Sequence, residues 1–328
     1  MARAVRWLAW STAALMWIGS LVLAVAPLAA DHGTRLWDPW LARIGAAVAT
    51  WLAVLLLARR IGGPLLLVAA FSGACAVLVV LVPRGWVLSA GAVVAATSYG
   101  LLGMVMTRPT AGLRSVREAV VAGVFGAAGA VVVTGYDVAL RPYRFQMMVL
   151  ALTLLAALAI AWRLGSGFHS LGRRGLALIV GAVGVLGIAV VYVQAVRHWG
   201  SSEAVGSFTG TNGRIRDWLG VSPRPIEALV GFPATVWGVA VRNRRRQGWW
   251  MSAFGSLAGA GVATSLVGPS LTLEKVAEAT GYNLLIGVVL GLVLISVDRL
   301  LTGTGRRSHV PGGPDTERPE PSRAARLL

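Results

Sequence analysis

The sequence predicts an all-α protein: a polytopic membrane helix bundle of about ten transmembrane helices, with both termini on the cytoplasmic side. Three observations carry this. Of 328 residues, 56% are hydrophobic and only 13% charged, whereas about a quarter of a soluble domain is charged. Apolar runs near the roughly 20 residues that cross a hydrocarbon core recur from end to end. When those runs are threaded alternately through a membrane, the positive charge sorts to one side.

The runs are 7–29, 40–58, 64–82, 86–106, 118–136, 147–164, 175–196, 225–242, 248–268 and 281–301. Helix is expected for each, because a backbone in lipid must satisfy its own hydrogen bonds. The first follows MARAVR and is longer than the 7–15 residues of a signal-peptide core; Asp31 after Pro27-Leu28-Ala29-Ala30 makes a poor cleavage site. An uncleaved first span is therefore expected. The second ends at Arg59 and Arg60, and the third holds Cys75 within the apolar stretch 71–82. A lone cysteine excludes an intrachain disulfide and any cysteine-built metal centre, and at this position reads as a small hydrophobe. The fourth span carries Thr97, Ser98 and Tyr99, the seventh Gln194, and the eighth Thr235 and Pro233. The ninth and tenth contain the small-residue pairs Gly255/Gly259 and Gly287/Gly291; Gly123, Gly126 and Gly129 form a run in the fifth, as Gly181, Gly184 and Gly187 do in the seventh.

With the N-terminus inside, twenty cations face five acids on the cytoplasmic side, among them Arg59, Arg60, Arg117, Arg163, Arg242, Arg244 and Arg299. Ten cations face eight acids outside. The net +17 thus reads as the positive-inside bias of a membrane protein, and nucleic acid is not expected as a partner. Tryptophans agree: Trp7, Trp37, Trp40, Trp86, Trp162, Trp199, Trp218, Trp249 and Trp250 fall near span ends, where interfacial belts form. Residues 1–302 make the membrane domain, with one longer external loop at 197–224 containing a short interfacial helix around Ile215, Trp218 and Leu219. The tail, 303–328, is expected to be disordered and cytoplasmic for want of apolar residues. Five spans on each side of residue 137 permit a 5+5 inverted repeat, although no self-similarity between the halves supports it.

Small residues at Gly255, Gly259, Gly287 and Gly291 let helix backbones approach, which suits an oligomer face and the interior of this bundle alike. Charged residues are nearly absent from span centres. Arg43, Glu118, Glu227, Asp298 and Arg299 lie close enough to span ends to snorkel; Arg117 can pair with Glu118, Asp298 with Arg299, and Glu227 suits the first turn of a helix. Tyr99 and Gln194 are candidates for a pathway lining, or for hydrogen bonds between helices. Pro233 should kink or break the eighth span, as in the discontinuous helices of some transporters.

The sharpest local feature is the run from Arg242 to Trp250. Arg242, Arg244, Arg245 and Arg246 with Trp249 and Trp250 are candidates for binding anionic lipid headgroups or a cytoplasmic protein, and also serve as a plain topological anchor. No HExxH, Walker A loop, GxSxG elbow or paired-aspartate motif occurs. The histidines His32, His169, His198 and His309 are dispersed; His32 and His198 share the external side with Asp31, Asp38 and Glu203 without metal-ligand spacing. No cofactor or metal is expected, and no enzymatic activity.

The segment from Val241 through Gly255, VRNRRRQGWWMSAFG, resembles multi-span integral membrane proteins of GC-rich actinobacteria, the likeness covering roughly 225–303. That family has no catalytic role attached to it, so the resemblance implies no catalytic residues. It implies a bacterial plasma-membrane location and leans towards envelope assembly and division machinery. The expected function is a non-enzymatic protein that organises or stabilises such an assembly, with other membrane or division proteins as partners. The alternative is a small-molecule transporter or lipid flippase; a membrane enzyme acting on lipid substrates would require a carboxylate or histidine cluster in one cavity.

Overall fold

In the computed structural model the described residues are 2–29, 39–165, 180, 181, 184, 187, 224–244, 248–267, 272–302, 323 and 325–327. Among them there is helix and connecting chain, and no strand. The helices are α1 (Ala2–Ala29), α2 (Pro39–Arg60), α3 (Leu65–Leu81), α4 (Gly85–Val105), α5 (Arg114–Thr134), α6 (Pro142–Leu164), α7 (Phe232–Arg242), α8 (Gly248–Ala263) and α9 (Leu273–Thr302); a π-helical turn, Ile226–Gly231, runs directly into α7. Five of these, α2, α4, α5, α6 and α9, are long and apolar enough to cross a membrane, while α3 and the segment Ser11–Ala24 of α1 are shorter apolar stretches. The expected seventh span lies outside the described residues except at 180, 181, 184 and 187, which are helical. The external loop lies outside them except at Arg224.

The helices start and stop where chemistry beyond hydropathy dictates. α5, α6 and α9 begin before the apolar runs they contain, at Arg114, Pro142 and Leu273. Charged first-turn residues such as Arg117 and Glu274 continue a helix although they end a hydropathy window, and Pro142 sits in the first turn of α6, where its missing N–H costs nothing. α2 ends in a tight reversal: Gly62 has φ +73°, its N–H donates to the Arg59 carbonyl at 3.3 Å, and the Gly63 N–H donates to Ala58 at 2.7 Å. That is the Schellman pattern, and the left-handed residue in it favours glycine.

Helix α4 is the centre of the bundle, packed against α2, α5, α6 and α8. α8 is almost wholly buried and touches α4, α5, α6, α7 and the π turn. Glycine makes that contact possible. A Cβ on Gly100 of α4 would lie 2.9 Å from Ala260 of α8, and one on Gly126 of α5 would lie 2.8 Å from the Gly259 carbonyl, so three helices meet at van der Waals distance. α3 and α9 lie at the rim and turn apolar side chains outward: Leu66, Leu67, Phe71 and Leu81 on one, Leu285, Val289, Val293 and Leu300 on the other. An apolar outer surface over a small-residue interior is the arrangement that lipid selects.

Of the expected structureless tail, 303–328, the described residues are Arg323 and 325–327. These are seated against the ends of α2, α4 and α5. Leu327 packs on the apolar cluster of Leu101, Val105, Leu164 and Trp250, an anchor that net composition conceals.

Candidate functional site

Two buried carboxylates stand out, one near each end of the bundle. At the basic end, where α2, α4 and α7 finish and α5 and α8 begin, Glu118 is fully buried. It accepts from Arg117 Nε (3.0 Å), from Arg323 Nη2 (2.8 Å) and from the Arg108 backbone N–H (2.8 Å). Beside it three carbonyls at and just past the end of α4, where a helix leaves acceptors without partners, each receive an arginine. Arg60 Nε donates to Val105, Arg323 Nη1 to Met106 and Arg242 Nη2 to Thr107, at 3.3, 2.7 and 2.9 Å. Cations are favoured at this negative end of the helix dipole. The cluster is thus explained as a capping network.

The second carboxylate is differently placed. Glu227 lies in the π turn within the eighth expected span and is 1% exposed. Its Oε1 accepts from Arg224 Nη1 at 3.1 Å and its Oε2 from Asn283 Nδ2 on α9 at 2.8 Å. The Arg224 N–H donates to Asn283 Oδ1 at 2.9 Å, which closes the ring. Arg224 also donates from Nη1 to the Gly261 carbonyl (3.2 Å) and from Nη2 to the Ser265 carbonyl (3.3 Å), both in the last turn of α8 and its exit. Gly261 has no alternative here, since a Cβ would meet Glu227 Cγ at 2.5 Å. The π turn presents the carboxylate: the Phe232 N–H bonds to the Glu227 carbonyl five residues back. Pro233, the second residue of α7, offers no N–H to the Leu229 carbonyl. The expected break of the eighth span therefore falls just ahead of Pro233 as a widened turn.

The expectation that Glu118 and Glu227 snorkel is corrected: both are buried, and arginines come to them. Asp298 pairs with Arg244, in place of the expected Arg299. Of the residues expected to meet lipid or a partner, Arg242 is 2% exposed, donates through Nη1 to Thr107 Oγ1 at 2.8 Å and stacks 3.7 Å from the Trp249 ring centroid. Trp249 and Trp250 are buried against α4 and α6. Arg245 and Arg246 lie outside the described residues, as does Gln194. Tyr99 is buried and links helices, accepting from Trp17 Nε1 at 2.7 Å and donating to the Ala49 carbonyl at 3.3 Å. Gly255, Gly259, Gly287 and Gly291 all face neighbours within the bundle: Thr235, Gly100, Phe232 and Val236 respectively.

Sequence reasoning missed Asn283 and Arg224. A single asparagine in a long apolar helix, at the level where a proline-interrupted helix carries a glutamate, was the available signal. Among the described residues no group of three or more His, Cys, Asp or Glu is placed to hold a metal ion; His32, His169, His198, His309, Asp31, Asp38 and Glu203 lie outside them. No family model, curated protein or solved structure matches the chain.

Proposed function

We propose that the chain is a polytopic transporter of the bacterial plasma membrane, ten spans with the basic end and both termini cytoplasmic, which carries a small solute past Glu227, Arg224 and Asn283. The observation that carries the reading is a buried carboxylate at the start of the eighth expected span, on a non-α turn beside a proline. Ionisable groups held inside a membrane are costly and mark solute or proton pathways by default. π turns concentrate at functional sites, and discontinuous helices form the binding sites of many transporters. On the ten-span count, α4 and α8 are the fourth helices of the two halves, and both are central and cross at Gly100 and Gly259; this favours the 5+5 arrangement.

An organising role in an envelope or division assembly, without enzymatic activity, would act through Arg242 to Trp250. Arg242, Trp249 and Trp250 are instead taken up by the bundle's own packing, so transport is the better-supported reading. Its test is electrical recording from proteoliposomes on solid-supported membranes, challenged in turn with inorganic cations, amines, carboxylates and phosphates. At least one class should drive a current in the native chain that Glu227→Gln, a near-isosteric change, abolishes. Currents in none of the classes, or currents indifferent to the substitution, would overturn the proposal.

A further inference from the structure

The Arg224 guanidinium is seated in a cage of oxygens contributed by other residues. The cage consists of Glu227 Oε1 and the carbonyls of Gly261 and Ser265, at 3.1, 3.2 and 3.3 Å from the guanidinium nitrogens. These acceptors are fixed. Glu227 is held from its other side by Asn283, and the two carbonyls belong to the turn in which α8 ends, where a helix presents its negative pole. Nearby, the Ser265 hydroxyl is buried without a hydrogen-bond partner. The Arg224 side chain is the partly exposed component, 24% exposed, on a residue outside any helix whose backbone is held by its N–H on Asn283 Oδ1 and by the Ala228 N–H on its carbonyl. A fixed set of acceptors around a partly exposed cationic side chain is a site built for positive charge.

We propose that this cage is the binding site for a small organic cation carrying N–H donors, a guanidinium or primary ammonium group, and that Arg224 is its built-in stand-in when no ligand is bound. The proposal rests on the transport reading and names its substrate class. The physical reason for a tethered substitute is the cost of an unpaired buried carboxylate, which strongly destabilises a protein when its partner is removed. As the free cation enters, Arg224 withdraws towards its exposed side, and Glu227 never faces the interior alone. The planar, forked donors of a guanidinium match a carboxylate and neighbouring carbonyls better than a spherical ion does. An anionic solute would need the reverse, a fixed cation with a movable acid, and the acid here is the immobile partner.

The experiment is equilibrium binding of radiolabelled guanidinium to the purified full chain, alongside thermal unfolding of Arg224→Ala in millimolar guanidinium chloride or in sodium chloride of equal ionic strength. The native chain should bind saturably, and Glu227→Gln should weaken binding by at least about tenfold, the cost of a lost charge-assisted hydrogen bond. Arg224→Ala, with the competitor removed, should bind at least about tenfold more tightly, and guanidinium but not sodium should restore its unfolding temperature. If Arg224→Ala does not fold, the native chain and Glu227→Gln decide the matter alone. Absence of saturable binding to the native chain, or binding that Glu227→Gln leaves unchanged, overturns the proposal. Saturable, Glu227-dependent binding without a current in liposomes would sink the transport reading and leave this site standing. A Glu227-dependent current driven only by carboxylates or phosphates would do the opposite.

Discussion

Arg323 and Glu118 stand 205 residues apart in the chain and 2.8 Å apart in space. The pair joins the C-terminal end of the chain to the first turn of α5, while Arg60 clasps the same segment by donating to the Ala325 carbonyl at 2.6 Å and accepting from the Leu327 N–H at 2.9 Å. The two members are unequal. Glu118 is fully buried with three donors, whereas Arg323 is about one-third exposed. Glu118→Ala should therefore cost about 3 kcal/mol, because three hydrogen bonds to a charged group are lost at once. Arg323→Ala should cost only about 1–2 kcal/mol. Thermal unfolding in detergent checks the order, and equal losses would show that the C-terminal segment contributes more than its contacts imply.

Glycine substitutions should divide sharply by position. A Cβ on Gly248 would run into the Arg242 backbone nitrogen, and one on Gly231 into the backbone of Ala258. Neither neighbour is the flexible end of a side chain. Each change to alanine should cost about 3 kcal/mol or more through forced separation of helices. Gly19, on the exposed side of α1, has nothing within 4 Å of the added atom. There the same substitution should be neutral or stabilising by up to about 1 kcal/mol, since alanine is the better helix former. Unfolding temperatures of the three variants measured side by side settle the contrast.

Tyr99→Phe should cost about 1 kcal/mol and, on the proposed transport reading, leave the Glu227-dependent current intact. The hydroxyl bridges Trp17 and the Ala49 carbonyl, and hydrogen bonds between membrane helices are individually modest. Tyr136→Phe should cost about the same, as its hydroxyl links Thr50 and the Ala46 carbonyl. A large loss of flux in Tyr99→Phe without loss of stability would return Tyr99 to the solute pathway.

Asn283→Ala should destabilise by about 1–3 kcal/mol, leaving Glu227 Oε2 and the Arg224 N–H without the partner that now serves both. Asn283→Asp should be worse than alanine, because it sets a second carboxylate against a buried one. Chemical unfolding of the two variants gives the order, and a reversal would mean that Asn283 does not hold the carboxylate.

The helix segments were legible because lipid imposes a rule on every span, and a run of apolar residues is enough to state it. α2, α3 and α4 begin and end within a residue or two of the apolar runs that announced them. Pro233 likewise marked the one departure from α geometry among the described spans. The site itself was only half legible. Glu227 was visible, but its role hinges on Asn283, 56 residues away, and on Gly261, whose importance is that it carries no side chain. Arginine is more opaque still. Arg60, Arg242 and Arg323 look alike as positive charge at a membrane surface, yet each is aimed at a different carbonyl at the end of α4. That direction is a property of tertiary geometry, and no local pattern encodes it.

The π turn between Ile226 and Gly231 also fixes a phase. A turn that closes its hydrogen bonds five residues back, as Phe232 does onto Glu227, accommodates one residue more than an α-helix of the same rise. It behaves as a single-residue insertion swallowed within a continuous helix. Excising one residue between Glu227 and Phe232 would let α geometry run straight through, with the Phe232 N–H bonded to the Glu227 carbonyl as its fourth neighbour in place of its fifth. With α7 held in place by Gly287, Gly291 and Gly255, Glu227 would keep nearly its own side of the helix, and the residue lost would come from the side chains between it and Phe232. The turn thus absorbs a counting surplus of one without displacing the carboxylate from the face it shares with Asn283.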